Sequence, residues 1–165
     1  MIEQDFVDLY NAHFGTVLRF VERRAGGGGD AEDITVETFA AAWGAGSHVE
    51  VTLPWLFTVA RNKIKDYYRA NARRREAEGR VMSDAIVADE DLAQIERLAV
   101  REAVASLTPR ERDVVELTYW DDLSAEQVAE VLGCKVGAVW TALSRGRASL
   151  RGLLRQTEGV GEIGG

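Results

Sequence analysis

The chain has 165 residues, 46% of them hydrophobic, which allows one large domain or two small ones, each with a modest core. A single cysteine, Cys134, excludes an internal disulfide, and His13 and His48 stand too far apart for metal-ligand spacing, so we expect no metal and no cofactor. The apolar runs are short and interrupted, and Met1 to Asp5 lacks the positive charge of a secretory signal. We therefore expect a cytoplasmic protein without membrane insertion.

The net charge of −7 is unevenly distributed along the chain. Residues 61–80 carry eight Lys/Arg and three acids, a net +5, and residues 135–155 carry five Lys/Arg and no acid. Nine acids lie in the first sixty positions. Two basic segments in an otherwise acidic chain are typical of two nucleic-acid contacts combined with an acidic surface for another partner.

Three amphipathic helices are predicted in the first half of the chain. Apolar residues at helical spacing predict the first helix over about residues 3–24. Asp30 suits the N-cap of a second helix that ends near Trp43. Pro54 suits the first position of a third helix, which reaches about Glu78.

The second half of the chain carries clear signals for helix ends. A polar, acidic stretch is followed by a fourth apolar periodicity, and then by capping-box patterns that begin at Thr108 and Ser124. Gly133 is placed to close the helix that Ser124 opens, and a last, basic helix is predicted from Val136 to Arg155. No strand alternation competes with this all-α prediction. The predicted organisation is an N-terminal domain over 1–79, an acidic linker over 80–97, a C-terminal domain over 98–157 and a flexible tail over 158–165.

A short capped helix, a glycine turn and a longer basic helix form a helix-turn-helix pattern, whose second helix enters the major groove of DNA. On a helical wheel at about 100° per residue, an inward apolar face is predicted. Its members are Val136, Val139, Leu143, Leu150 and Leu154. The outward face is small at its N-terminal end and includes Gly137, Ala138, Thr141, Arg145 and Ala148. An ordinary helical hairpin with a solvated basic face is the alternative, but the paired caps and the absence of acids favour DNA.

The third helix combines aromatic and basic residues on its exposed sides. Trp55, Asn62, Asp66, Arg69 and Arg73 share one flank, and Arg61, Lys65 and Tyr68 lie on the other. Such interleaving suits single-stranded or distorted DNA, where bases stack and phosphates are neutralised. On its own the pattern also fits a buried Trp55 with solvated arginines.

Three stretches together resemble the extracytoplasmic-function (ECF) group of bacterial sigma factors, in the sigma-70 family. They are Asp30 to Phe39 with Trp43, Pro54 to Asn62 with Asp66 and Arg69, and Leu107 to Arg112 leading into Leu123-Ser124 and the helix-turn-helix. The resemblance implies an all-α fold of two small domains, a three-helix sigma-two domain and a helix-turn-helix sigma-four domain. It implies that core RNA polymerase, through its β′ clamp and β subunit, and promoter DNA are partners, and it makes an anti-sigma factor a candidate partner.

The resemblance also implies roles for individual residues. Those of the first stretch that would bind polymerase are Asp30, Glu32, Asp33, Thr35, Glu37 and Thr38, with Phe39 and Trp43 favoured as packing residues. Those that would recognise and open the −10 element are Trp55, Arg61, Asn62, Lys65, Asp66, Arg69, Arg73 and Arg74. Those that would bind the −35 element are Lys135, Gly137, Ala138, Trp140, Thr141, Ser144, Arg145 and Arg147.

The chain departs from the family pattern where specificity is usually read. Val36 replaces a common Gln, Lys135 a Ser or Thr cap, Ala138 a Thr, and Trp140 and Ala142 two usually basic residues. Trp140 either packs at the rim of the module, the favoured interpretation, or contacts a thymine methyl or a protein partner. Two other functions stay open: a dimeric helix-turn-helix regulator without polymerase, and a sigma-like adaptor or decoy that does not read DNA. An enzyme is disfavoured, because no nucleophile, base and orienting group are assembled.

Overall fold

The computed structural model describes residues 2–79 and 92–162, with side chains for 2–79 and 98–155. The helices in these ranges account for all regular secondary structure that they contain, which confirms the all-α prediction. The chain divides into two compact units, Met1–Ser83 and Asp84–Gly165. Residues 80–91, which hold most of the predicted linker, lie outside the described residues.

The first unit consists of three helices, each packed against the other two. They are α1 (Glu3–Ala25), α2 (Gly29–Gly44) and α3 (Leu53–Glu78). Their apolar faces meet in a core that includes Val17, Phe20, Val21, Ile34, Phe39, Leu56, Phe57 and Ile64. The rings of Phe20 and Phe57 stack with centroids 4.4 Å apart. Aromatic pairs of this kind add about 0.5–1.5 kcal/mol beyond the burial of their area, so α1 and α3 are held firmly together.

Further aromatic rings link the beginning of α1 to the end of α2. Tyr10 lies 4.6 Å from Phe14 and 5.2 Å from Phe39, measured between ring centroids. Phe6 contacts Trp43 edge to face at 5.1 Å. Trp43 nevertheless stays 52% exposed, so it covers this cluster from outside the core.

The helix ends of the first unit differ in part from those predicted. Asp30 is not the N-cap of α2, as predicted, because the helix begins at Gly29 and its cap is Gly28, with φ 102°. Glycine adopts this conformation without strain, so the helix begins two residues earlier than predicted. The start of α3 is close to the prediction: Pro54 lies in its first turn, and the Thr52 hydroxyl accepts a hydrogen bond from the Trp55 amide at 3.3 Å.

The second unit holds the remaining helices. They are α4 (Leu92–Ala105), α5 (Pro109–Val115), a π-helical turn over Glu116–Trp120 that continues α5, α6 (Ala125–Leu132) and α7 (Val136–Glu162). α4 forms where the fourth apolar periodicity predicts a helix. α7 continues to Glu162, past its predicted end at Arg155 and into the range predicted as a tail. Extending a formed helix needs no new nucleus, and no proline interrupts it there, so α7 runs on.

The predicted caps form in the second unit. The Ser124 hydroxyl accepts from the Gln127 amide at 3.2 Å and the Gln127 side chain accepts from the Ser124 amide at 2.9 Å, a complete capping box. The Thr108 hydroxyl accepts from the Glu111 amide but donates to the Glu111 carboxylate, so only half of that predicted box exists. Gly133 has φ 65° and closes α6 in the left-handed conformation. These caps set the turn that leads into α7.

α7 packs against α4, α5 and α6 and completes the core of this unit. Val139 and Leu143 are buried, as predicted, whereas Val136 and Leu150 are half-buried and Leu154 is 36% exposed. The buried partners from the other helices include Val104, Val114, Leu117, Leu123 and Val128. Among the side chains of α7 that the structure describes, the fully buried ones all lie in its N-terminal half.

Candidate nucleic-acid and protein interfaces

α2 divides its predicted contact residues between an exposed and a buried face. The exposed residues are Asp30, Glu32, Asp33, Val36, Glu37 and Trp43. Thr35 and Thr38 are fully buried, and each hydroxyl donates to a carbonyl oxygen four residues earlier at 2.8 Å. Phe39 is 2% exposed and belongs to the core. Thr35 and Thr38 were predicted as polymerase contacts, but their side chains are buried and bonded within α2, so they present no surface to a partner. Phe39 packs in the core, which is the role favoured for it.

An open groove between α2 and α3 combines residues that were predicted to serve different partners. It is lined by Asp30, Asp33, Ile34, Glu37, Lys63, Asp66 and Tyr67. The Tyr67 hydroxyl donates to the Asp30 carboxylate at 2.9 Å, and Lys63 Nζ lies 3.9 Å from Glu37 Oε2. Asp66, predicted with the DNA-binding set, thus shares a groove with the acids of α2. The sequence did not predict that Tyr67 and Lys63 would link α3 to α2, because a helical wheel does not show which neighbouring helix each side of a helix contacts.

The predicted DNA-binding residues of α3 mostly reach solvent. Exposed are Asn62, Lys65, Asp66, Arg69, Arg73 and Arg74, whereas Trp55 and Arg61 are half-buried. Arg69 Nη1 lies 4.0 Å from Asp66 Oδ1, and both side chains are about three-quarters exposed. A pair so exposed is worth little, so a DNA phosphate can compete for Arg69 at small cost.

The last turn of α1 contacts the flank of α3 that carries Tyr68. The sequence did not predict this contact. The Tyr68 hydroxyl donates to the main-chain oxygen of Arg24. The Arg24 guanidinium lies over the Phe20 ring, 3.7 Å from its centroid. These contacts join the main chain of Arg24 to Tyr68 and hold the Arg24 guanidinium against Phe20. The sequence shows two arginines at the end of α1, but it does not show which helix this end contacts.

The outward face of α7 is exposed as predicted. The residues that reach solvent here are Gly137, Ala138, Thr141, Ser144, Arg145 and Ala148, and Lys135 just before the helix. Thr141 donates its hydroxyl to the Gly137 carbonyl at 3.0 Å, as threonine commonly does within a helix. Small side chains therefore occupy the N-terminal end of this face and Arg145 its middle, an arrangement that suits a helix end lying close to base edges.

Two substituted positions of α7 have different surroundings. Ala142 is 6% exposed and packs in the core. Trp140 is 55% exposed. Its ring therefore offers a large open surface, and both packing at the rim and contact with a thymine methyl or a protein partner stay predictions.

Arg147 lies on the flank of α7 and contacts a residue that sequence reasoning did not select. Its Nε donates to the Tyr119 hydroxyl at 2.5 Å, and its guanidinium carbon lies 5.6 Å from the centroid of the Tyr119 ring. Tyr119 belongs to the π-helical turn after α5 and is 51% exposed. The separation of 28 residues between the two explains why local patterns did not pair them.

Within the described ranges, no three His, Cys, Asp or Glu side chains converge in a way that could hold a metal ion. Over the same ranges, no helix has the length and apolar character needed to span a membrane.

Comparison with known proteins identifies the two units. Residues 9–74 match the family model for Sigma-70 region 2, and residues 97–150 match the model for Sigma-70, region 4. The chain is 33% identical over 159 residues to the ECF RNA polymerase sigma factor SigL of Mycobacterium tuberculosis, covering 90% of this chain and 88% of SigL. It is 31% identical over 171 residues to the ECF RNA polymerase sigma factor SigW of Bacillus subtilis, covering 93% and 91%.

A solved structure shows the same fold. CnrH, in complex with the cytosolic domain of CnrY, superposes with a TM-score of 0.65 at 28% identity, over 94% of this chain and 90% of that one. The sigma factor RpoE of Bartonella quintana, in complex with the anti-sigma factor NepR, shares the fold with a TM-score of 0.63 at 23% identity, over 92% and 98%. With both region models matched in order and relatives aligned over nearly the whole length, the chain belongs to the ECF group of sigma-70 family RNA polymerase sigma factors.

Proposed function

We propose that the exposed acidic face of α2 binds the β′ clamp of core RNA polymerase. This face, defined by Glu32, Asp33, Val36 and Glu37, is open to solvent along the helix. Thr35 and Thr38 lie behind it and fix its position against the core. Val36 is 54% exposed, so it would add an apolar contact at the centre of the face in place of the amide that the family often has there.

α3 would recognise and open the −10 element. Its exposed Asn62, Lys65 and Arg69 lie on flanks that also carry the half-buried Trp55 and the exposed Tyr68. Cations neutralise the backbone of the separated strand, while aromatic faces accept unstacked bases.

α7 would bind the −35 element as duplex, with the β subunit holding the second unit on the polymerase. The observation that best supports promoter binding is the exposure of the outward face of α7 from Gly137 to Ala148, together with Lys135 just before the helix, without an acidic residue. Two modest DNA contacts on one polymerase act together, because the first raises the effective concentration of the second. An acidic protein can thus bind a promoter through two basic segments.

The protein would act without catalysis of its own, by positioning the polymerase, and it would do so in the cytoplasm. An anti-sigma factor is a further candidate partner, because CnrH and RpoE, which share the fold, were solved in complex with the cytosolic domain of CnrY and with NepR.

The test is run-off transcription with active core polymerase and the full chain on a library of genomic fragments. Start sites that depend on the chain are expected. If none appears while the polymerase is active with another sigma factor, the proposal is wrong. Polymerase binding without promoter-specific transcription would indicate an adaptor or decoy instead.

Single substitutions should separate the two roles of the first unit. Glu37→Ala should weaken polymerase binding, whereas Arg61→Ala and Arg69→Ala should impair promoter opening more than polymerase binding. Glu22→Ala, on the exposed side of α1, is the matched acidic control and should leave both unchanged. Equal losses of polymerase binding in all three variants would contradict the assignment.

A further inference from the structure

α5 and α7 cross very closely, and this crossing places Tyr119 beside Arg147. Gly146 is buried, and a Cβ atom on it would lie 2.9 Å from Cγ2 of Val115. No larger side chain fits without movement of one helix, so the backbones approach at this point. Tyr119 follows Val115 by one helical turn, and Arg147 follows Gly146 directly. Their contact is therefore built on a tightly packed crossing.

The contact restrains an arginine on the surface. An exposed arginine ordinarily samples many rotamers, and ordering it on binding costs about 0.5–1.5 kcal/mol. Here the Tyr119 hydroxyl accepts from Nε and the ring lies within cation–π distance of the guanidinium. The hydrogen bond uses one of the five N–H donors of the guanidinium, which leaves its two terminal amino groups for another acceptor.

The position of Arg147 favours a phosphate as that acceptor. Trp140, Ser144 and Arg147 form an exposed stripe at helical spacing, at the edge between the outward and the buried faces of α7. When the outward face lies in a major groove, side chains at its edge meet the groove walls, which are phosphate backbones. A planar guanidinium fork matches phosphate oxygens well.

We propose that Tyr119 is a positioning residue for duplex binding, which holds the Arg147 guanidinium ready to bind a phosphate at the wall of the groove that α7 enters. This inference rests on the proposed function of α7 as the reader of promoter duplex. It adds a residue outside the helix-turn-helix to the DNA-binding apparatus and assigns it an indirect role.

The experiment measures binding of polymerase, assembled with the full chain, to a promoter duplex found by run-off transcription, over a range of salt concentrations. Arg147→Ala should weaken binding and lower the slope of log affinity against log salt by about 1, because one phosphate contact is lost. Tyr119→Phe should weaken binding by about 2- to 10-fold with an unchanged slope, since the arginine still binds but must be ordered first. The double variant should bind no more weakly than Arg147→Ala alone.

A lysine variant provides a second check. Arg147→Lys keeps the charge but lacks the Nε donor and the fork, so Tyr119→Phe should have no further effect in that background. Arg101→Ala, an exposed arginine of α4, is the matched control and should bind DNA like the wild type.

Additive losses for Tyr119→Phe and Arg147→Ala would overturn the proposal, as would unchanged DNA binding in Arg147→Ala. Weaker binding of the Arg147→Ala chain to core polymerase, measured without DNA, would mean that Arg147 contacts a protein carboxylate instead, and it would also overturn the proposal. In these cases the wild type still binds the promoter, so the proposed function stands. If the wild type binds no promoter at all, both proposals fail.

Discussion

Gly146 at the crossing of α5 and α7 offers the sharpest test of the packing described above. Gly146→Ala adds one methyl group that would lie 2.9 Å from Val115 Cγ2 and 3.7 Å from Glu111 Cβ. Val115 is 3% exposed and β-branched, so its methyl group has little freedom to turn away. Gly152→Ala on the same helix is the matched control, because that position is exposed and a Cβ there meets no atom within 4 Å.

The two substitutions share one contribution and differ in the other. Replacing glycine by alanine inside a helix stabilises by about 1 kcal/mol, which is the whole effect expected for Gly152→Ala. Forcing an extra methyl into a packed core costs about 1–3 kcal/mol. Gly146→Ala should therefore lower the free energy of unfolding by up to about 2 kcal/mol, as the net of overpacking and helix propensity. The difference between the two variants, about 1–3 kcal/mol, isolates the overpacking.

The free energy of unfolding can be measured by urea denaturation followed by circular dichroism, with amide hydrogen exchange of α7 reporting on the second unit alone. In a Val115→Ala background, Gly146→Ala should instead stabilise by up to about 1 kcal/mol, because the clashing methyl is gone. If Gly146→Ala stabilises the unchanged protein as much as Gly152→Ala does, the crossing relaxes without cost and the reasoning is wrong.

Three further outcomes are expected. Ser124→Ala should cost about 1 kcal/mol of unfolding free energy through loss of the cap of α6, whereas Ser149→Ala on the exposed side of α7 should change it little; equal values in urea denaturation would contradict the capping role. Thr35→Val keeps the shape of a buried side chain, so it should leave polymerase binding in a pull-down assay unchanged, whereas Glu37→Ala should weaken that binding. Weaker polymerase binding by Thr35→Val would show that Thr35 contributes to the contact. Trp140→Ala should weaken binding to the promoter duplex more than polymerase binding, and unchanged duplex affinity would leave Trp140 as a packing residue only.

The features that depend on local chemistry could be predicted from the sequence. Helix periodicity, the Ser124 capping box and the left-handed closure at Gly133 involve residues within a few positions of one another, so local sequence patterns are enough to predict them. The exposed face of α7 follows in the same way, because hydrophobic spacing alone orients a helix towards its core. The family resemblance rests on these local motifs, and both region models confirm it.

The tertiary structure decided which of two polar neighbours on a helix is exposed to solvent. Thr35 and Glu37 belong to the same motif, yet only the packing of α2 against two other helices buries the first and exposes the second. The same packing turns the Asp30 carboxylate towards Tyr67. In the second unit, the packing of α7 against α4, α5 and α6 makes Ala142 a core residue. Contacts such as that of Tyr119 with Arg147 join residues far apart in the chain, and their pairing depends on how closely two helices cross. Periodicity determines the face of a helix, but only its neighbours determine what that face meets.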